Sequence, residues 1–127
     1  MNNLYSIIFS GIILLLSTSI STSISAQCVE GESEVVVQIL TDNYPGETTW
    51  TLSDASGVLL TGGPYSANNT TYTASACIPN IGEPSCLQFV IDDSYGDGIC
   101  CGYGNGAFTL LIDGVEVATG GNFGYQA

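Results

Sequence analysis

Phe108-Thr109-Leu110-Leu111-Ile112-Asp113-Gly114-Val115-Glu116-Val117 decides the fold class. Apolar residues recur at every second position in Phe108, Leu110 and Ile112, the period of a strand with one face buried. Asp113-Gly114 is the dipeptide favoured in two-residue hairpins, because both central residues of that turn take positive φ. Val115-Glu116-Val117 then returns as the partner strand. The same period recurs outward along the chain: Val35, Val37 and Ile39 alternate, Trp50 is in phase with Leu52, and Leu87, Phe89 and Ile91 mark another strand. Val58 to Thr61 follows the turn Asp54-Ala55-Ser56-Gly57, Thr70 to Ala76 is a threonine-rich strand, and a last short strand is expected from Asn122 to Tyr125. Short strands with turn residues at this spacing predict an all-β fold, an antiparallel β-sandwich of jelly-roll type, with a small β-barrel as the alternative. Its phase with Leu52 assigns Trp50 to the core.

Composition narrows the chemistry. The 127 residues hold twelve carboxylates and no lysine, arginine or histidine, for a formal charge of -12. A chain without basic side chains cannot neutralise phosphates, which argues against nucleic acid and anionic membranes as partners. Without histidine there is no Ser-His-Asp or Cys-His machinery and no imidazole-bound zinc; without lysine there is no Schiff base and no Walker-type phosphate loop. Carboxylates, carbonyls, hydroxyls, aromatic rings and cysteines remain, an inventory suited to a hard cation or a carbohydrate.

Residues 1–26 read as a signal peptide. They carry no carboxylate and hold a ten-residue, mostly apolar run, Ile7 to Leu16, followed by a Ser/Thr-rich stretch ending at Ser25-Ala26. The run is short of the roughly 20 residues that span a bilayer, so cleavage after Ala26 is expected rather than anchoring, with no membrane insertion afterwards. Residues 27–127 then form one secreted domain. All five cysteines fall within it, and disulfides are the default in that setting. Cys77 and Cys86 flank the loop Ile78 to Ser85 and are the first choice for a bridge. Cys100 and Cys101 are adjacent, forming either a vicinal ring or bonds to separate partners. Cys28 is left over, a candidate for an intermolecular link. Zinc would need C-x-x-C spacing or histidines, and neither occurs.

The densest feature is Asp92-Asp93-Ser94-Tyr95-Gly96-Asp97-Gly98, with glycine at five of the eleven positions from Gly96 to Gly106. Closely spaced carboxylates repel unless solvent or a cation separates them, and glycines let the backbone turn its carbonyls inward. Both features suit Ca²⁺, which takes six to eight oxygens in flexible geometry and fills weak sites outside the cell. The bland alternative is a solvated turn in which Asp side chains accept backbone N–H groups. An EF-hand is excluded, because Tyr95 stands where a ligand is required and no Glu closes the loop. A second acidic loop, Thr41 to Trp50, offers Asp42 and Glu47; alternatively Asp42 and Asn43 only start a turn completed by Pro45-Gly46. If both loops share one end of the sandwich, Asp42, Glu47, Asp92, Asp93 and Asp97 converge as candidate metal ligands. Tyr44, Tyr95 and Tyr103 beside them are the candidate ligand-binding rings, whereas most tyrosines of a small sandwich cap its core.

The stretches Asp42 to Trp50 (DNYPGETTW) and Asp93 to Cys101 (DSYGDGICC), followed by Tyr103-Gly104-Asn105-Gly106 and Ile112-Asp113-Gly114-Val115, resemble a largely uncharacterised module of secreted multidomain proteins. That module recurs in polymer-degrading bacteria and algae beside metallopeptidases and adhesion domains. It is loosely similar to CUB domains, calcium-binding β-sandwiches that mediate extracellular contacts. The resemblance spans Val35 to Tyr125 and implies an accessory binding role, with Asp42, Glu47, Asp93 and Asp97 at the acidic motif positions. Cys28 looks like an addition to the module's four cysteines. The sequons at Asn68 and Asn69 are set aside, because the resemblance points to a bacterial source.

Three functions follow as expectations. The first is a secreted, non-catalytic binding or adhesion module with a calcium-stabilised acidic loop cluster, contacting glycans or protein partners. The second is a self-assembling surface or filament subunit, linked through Cys28 or through edge strands. The third, a two-carboxylate glycosidase, is disfavoured by the small domain and by the lack of a marked proton donor.

Overall fold

The computed structural model describes residues 28–79 and 86–127. The expected signal peptide and most of the loop between Cys77 and Cys86 lie outside the described residues. Among the described residues there are seven strands: β1 (Glu32–Leu40), β2 (Thr48–Asp54), β3 (Gly57–Gly62), β4 (Thr71–Pro79), β5 (Gln88–Asp93), β6 (Ala107–Ile112) and β7 (Val115–Gly120). They form two antiparallel sheets, in the orders β4-β1-β6-β7 and β3-β2-β5. Among the described strands, only β2–β3 and β6–β7 are hairpins within a sheet; every other connection carries the chain from one sheet to the other. No helix among the described residues is long and apolar enough to cross a membrane.

The alternating residues seal the core. Val35, Val37 and Ile39 of β1, Trp50 and Leu52 of β2, Ile78 of β4, Ile91 of β5 and Leu110 of β6 are all buried, joined by Ile99 from a loop. Each such side chain contributes roughly 1.5–3 kcal/mol when fully removed from water. Phe89 of β5 and Phe108 of β6 meet across the interior with ring centroids 5.2 Å apart, which ties the two sheets together. Trp50 is a core residue, and its indole N–H donates to the Tyr65 hydroxyl at 2.6 Å. Tyr65 in turn stacks on Tyr72 at 4.2 Å, and burial pushes its phenol up from the ordinary value.

The β6–β7 hairpin turns at Asp113 and Gly114, with φ of 49° and 78°, as the dipeptide predicts. A register shift opposite Leu110 and Leu111 leaves one extra residue in β7, and both Val115 and Val117 are exposed. The C-terminal segment differs from expectation. Pairing with β5 falls at Tyr125 to Ala127, through Asp93 N–H to the Tyr125 carbonyl and reciprocal bonds between Ile91 and Ala127. Asn122 to Gly124 instead passes over the loop after β5, where a side chain at Gly98 would strike the backbone of Phe123 and Gly121.

The cysteine pairing is also a correction. Cys28 bonds to Cys77, with Cα atoms 5.4 Å apart, and Cys86 is a free, exposed thiol. Strand pairing explains this. The β1–β4 ladder sets Glu34 opposite Cys77, and a turn closed by Glu32 N–H to the Val29 carbonyl folds Cys28 back toward β4. Cys28 is therefore consumed within the chain rather than available to link subunits. Cys100 and Cys101 form a vicinal disulfide, one of the two arrangements the sequence leaves open.

Candidate functional site

Two loops meet at one end of the sandwich. The first leaves β1 through Thr41 and Asp42, makes a single 3-10 turn at Pro45–Glu47, and enters β2. The second leaves β5 at Asp93 and returns to β6 near Gly106. Backbone bonds stitch them together: Asn43 N–H donates to the Tyr103 carbonyl at 3.2 Å, and Ser94 N–H to the Glu47 carbonyl at 3.0 Å. At Gly104, with φ of 149°, any side chain would press into Asp42, so the glycine permits the close approach of the two loops.

Both loops open with the same local device. Asp42 accepts the N–H of Tyr44 at 2.8 Å, and Asp93 accepts those of Tyr95, at 2.9 Å, and Gly96. An Asp side chain that bonds its own backbone two residues on fixes the turn and aims the following tyrosine. In each case the bonds fall on Oδ1. Asp42-Asn43-Tyr44 and Asp93-Ser94-Tyr95 are thus equivalent starts, a parallel visible in the sequence once the two are aligned.

Carboxylate oxygens of Glu47, Asp93 and Asp97 all lie within 4.8 Å of one another. Asp93 is buried at 3% exposure and Asp42, close by, at 4%. Burial, and then the neighbouring Asp93 and Asp97 charges, hold the Asp42 carboxyl above its usual value against the opposing bond from Tyr44. Glu47 is raised by desolvation and then by Asp93, Asp97 and Asp42. Asp92 does not join them. Successive side chains of a strand point to opposite faces, and Asp92 accepts a bond from the Gln126 amide at 2.7 Å instead. Of the five candidate metal ligands, three converge, Asp42 flanks them, and Asp92 faces away.

Thr48 was not among the candidates. It pairs directly with Asp93 across β2 and β5, so the two side chains share a face. Its hydroxyl is fully buried and has no hydrogen-bond partner among the described residues. Buried polar oxygens are ordinarily hydrogen-bonded, and this one lies beside a buried carboxylate. The signal was present in the sequence, since Thr48 alternates in phase with Trp50 and Leu52. Tyr44, Tyr95 and Tyr103 line a cavity of about 200 Å³ with Glu47 and Asp97.

No match was found to any family model, curated protein or solved structure.

The raised carboxyls of Asp42 and Glu47 set an acid dependence in the metal-free protein. A carboxyl held above its unfolded value stabilises the fold fully below the ordinary carboxylate range, and that stabilisation is lost as pH rises through the raised value. Asp54, lowered chiefly by bonds from Ser56, acts in the opposite direction but is exposed to solvent screening. In EDTA, the melting temperature is expected to rise as pH falls through the raised values toward the ordinary carboxylate range. Thermal scans across that range check it, and a steady fall would contradict it.

Proposed function

We propose that the chain is a secreted, non-catalytic binding or adhesion module whose acidic loops are held by calcium and which contacts extracellular glycans or proteins. The observation that carries this reading is the set of Glu47, Asp93 and Asp97, with oxygens within 4.8 Å of one another in a chain that has no cationic side chain to offset them. Three carboxylates brought together repel strongly, and a divalent ion removes that cost. The donor set is all oxygen, as calcium requires, and the buried Thr48 hydroxyl adds a further oxygen beside Asp93. The Cys28–Cys77 disulfide fits an oxidising compartment.

Calorimetric titration with calcium, paired with melting in calcium and in EDTA, tests the metal. Calcium at about a hundred times its Kd stabilises by roughly 2.7 kcal/mol, which raises Tm by about 10 °C or more in a domain of this size. Absence of heat together with an unchanged Tm would remove calcium from the reading. Self-assembly is the second reading. It is supported by β7, at the edge of its sheet with Val115 and Val117 exposed. A monomer in size-exclusion chromatography at high concentration would dismiss it.

A further inference from the structure

We propose that the tyrosine pocket is a receptor for a quaternary organic ammonium group of the choline type. The proposal deepens the binding-module reading by naming the class of group held at this site, and it does not require the calcium. Tyr44, Tyr95 and Tyr103 are 50%, 70% and 52% exposed and line one small cavity in contact with water. Their backbones are fixed. Tyr44 and Tyr95 donate their N–H groups to Asp42 and Asp93, and the Tyr103 carbonyl accepts from Asn43.

The rings of Tyr44 and Tyr103 stand at 80° with centroids 5.5 Å apart, an edge-to-face corner rather than a flat platform. Two rings at that angle cannot both lie flat on one sugar ring, whereas a compact tetrahedral cation presents a methyl to each wall. Ring faces carry negative potential and attract cations, and quaternary ammonium ligands are recognised in this way. Glu47 and Asp97, which line the same cavity, supply formal negative charge, and the chain holds no lysine, arginine or histidine to answer it. Anionic groups are repelled by the same set. A primary ammonium would seek carboxylate oxygens aligned with its N–H bonds; a methylated one needs only the ring faces and the surrounding charge.

The test is calorimetric titration of the mature protein with choline and with dimethylbutanol, in which carbon replaces the charged nitrogen, each in EDTA and in calcium. Choline is expected to bind in EDTA at least about tenfold more tightly than the neutral isostere, and more weakly in calcium, which offsets the charge of Glu47 and Asp97. Tyr95→Ala removes the most exposed of the three rings and is expected to weaken choline at least about fivefold, while Tyr95→Phe stays within about twofold because the ring face is retained. Equal binding of choline and the isostere, no choline binding, or an unchanged Kd in Tyr95→Ala would overturn the proposal, as would binding of a methyl glycoside in place of choline. Choline binding without a calcium response would refute the calcium reading and leave this one standing; a calcium response without choline binding would do the reverse.

Discussion

Replacing Asp93 by Asn is expected to weaken calcium binding by more than about tenfold and to abolish the calcium-dependent rise in Tm, while the metal-free protein becomes no less stable. Asp93 is the most buried member of the converging set and lies opposite the unpaired Thr48 hydroxyl. Loss of its charge removes one of three anionic ligands, and calcium affinity follows ligand charge count. The turn itself is retained, because the amide oxygen of Asn can still accept the N–H groups of Tyr95 and Gly96. Repulsion on Asp42 and Glu47 falls at the same time, since Asp93 contributes to raising both. Metal response and fold stability should therefore move apart, which simple damage to the loop would not produce. Asp92→Asn serves as the matched control: its side chain is engaged with Gln126 on the other face, so calcium titration should be unchanged. Equal loss of calcium binding in both variants would show a diffuse electrostatic effect instead of a defined site.

The contrast between Asp92 and Asp93 also shows how far the sequence can be read. Alternation of Phe89 and Ile91 already assigns the odd positions of β5 to the core, and Asp93 continues that parity while Asp92 breaks it. The same rule marks Thr48, in phase with Trp50. Both facts follow from the strand period, yet a count of nearby carboxylates hides them. The meeting of the two acidic loops was legible only as a condition, since it depends on β2 pairing with β5, a contact between segments far apart in the chain. Strand positions were clearer because alternation is local. At the C-terminus, the pairing of Tyr125 to Ala127 depends on where Asn122 to Gly124 must cross Gly98, and no local pattern encodes that crossing. The cysteines failed for a related reason. Proximity in sequence favoured Cys77 with Cys86, but the β1–β4 register brings in Cys28, 49 residues away.

That long loop makes the Cys28–Cys77 bond the second large effect. Closing a loop of 49 residues removes chain entropy from the unfolded state worth about 4 kcal/mol in the entropy model. A domain of this size has only about 5–15 kcal/mol of net stability. The double variant Cys28→Ser/Cys77→Ser, in which no unpaired thiol is created at the site of the bond, is expected to lose about 2–4 kcal/mol in denaturant titration and to melt about 10 °C or more lower. The bond clamps the start of β1 to β4, and β1, like β6, pairs on both sides within its sheet. The first acidic loop leaves the far end of β1, nine residues on, a distance of roughly 30 Å at the usual rise of a strand. Calcium affinity, measured at a temperature where the variant is folded, should therefore stay within about twofold of the parent. A stability loss below about 1 kcal/mol would mean that the reduced chain already holds these ends together when unfolded. A joint loss of stability and calcium affinity would instead place the two ends of the sandwich in one cooperative unit, with β1 as the element that couples them.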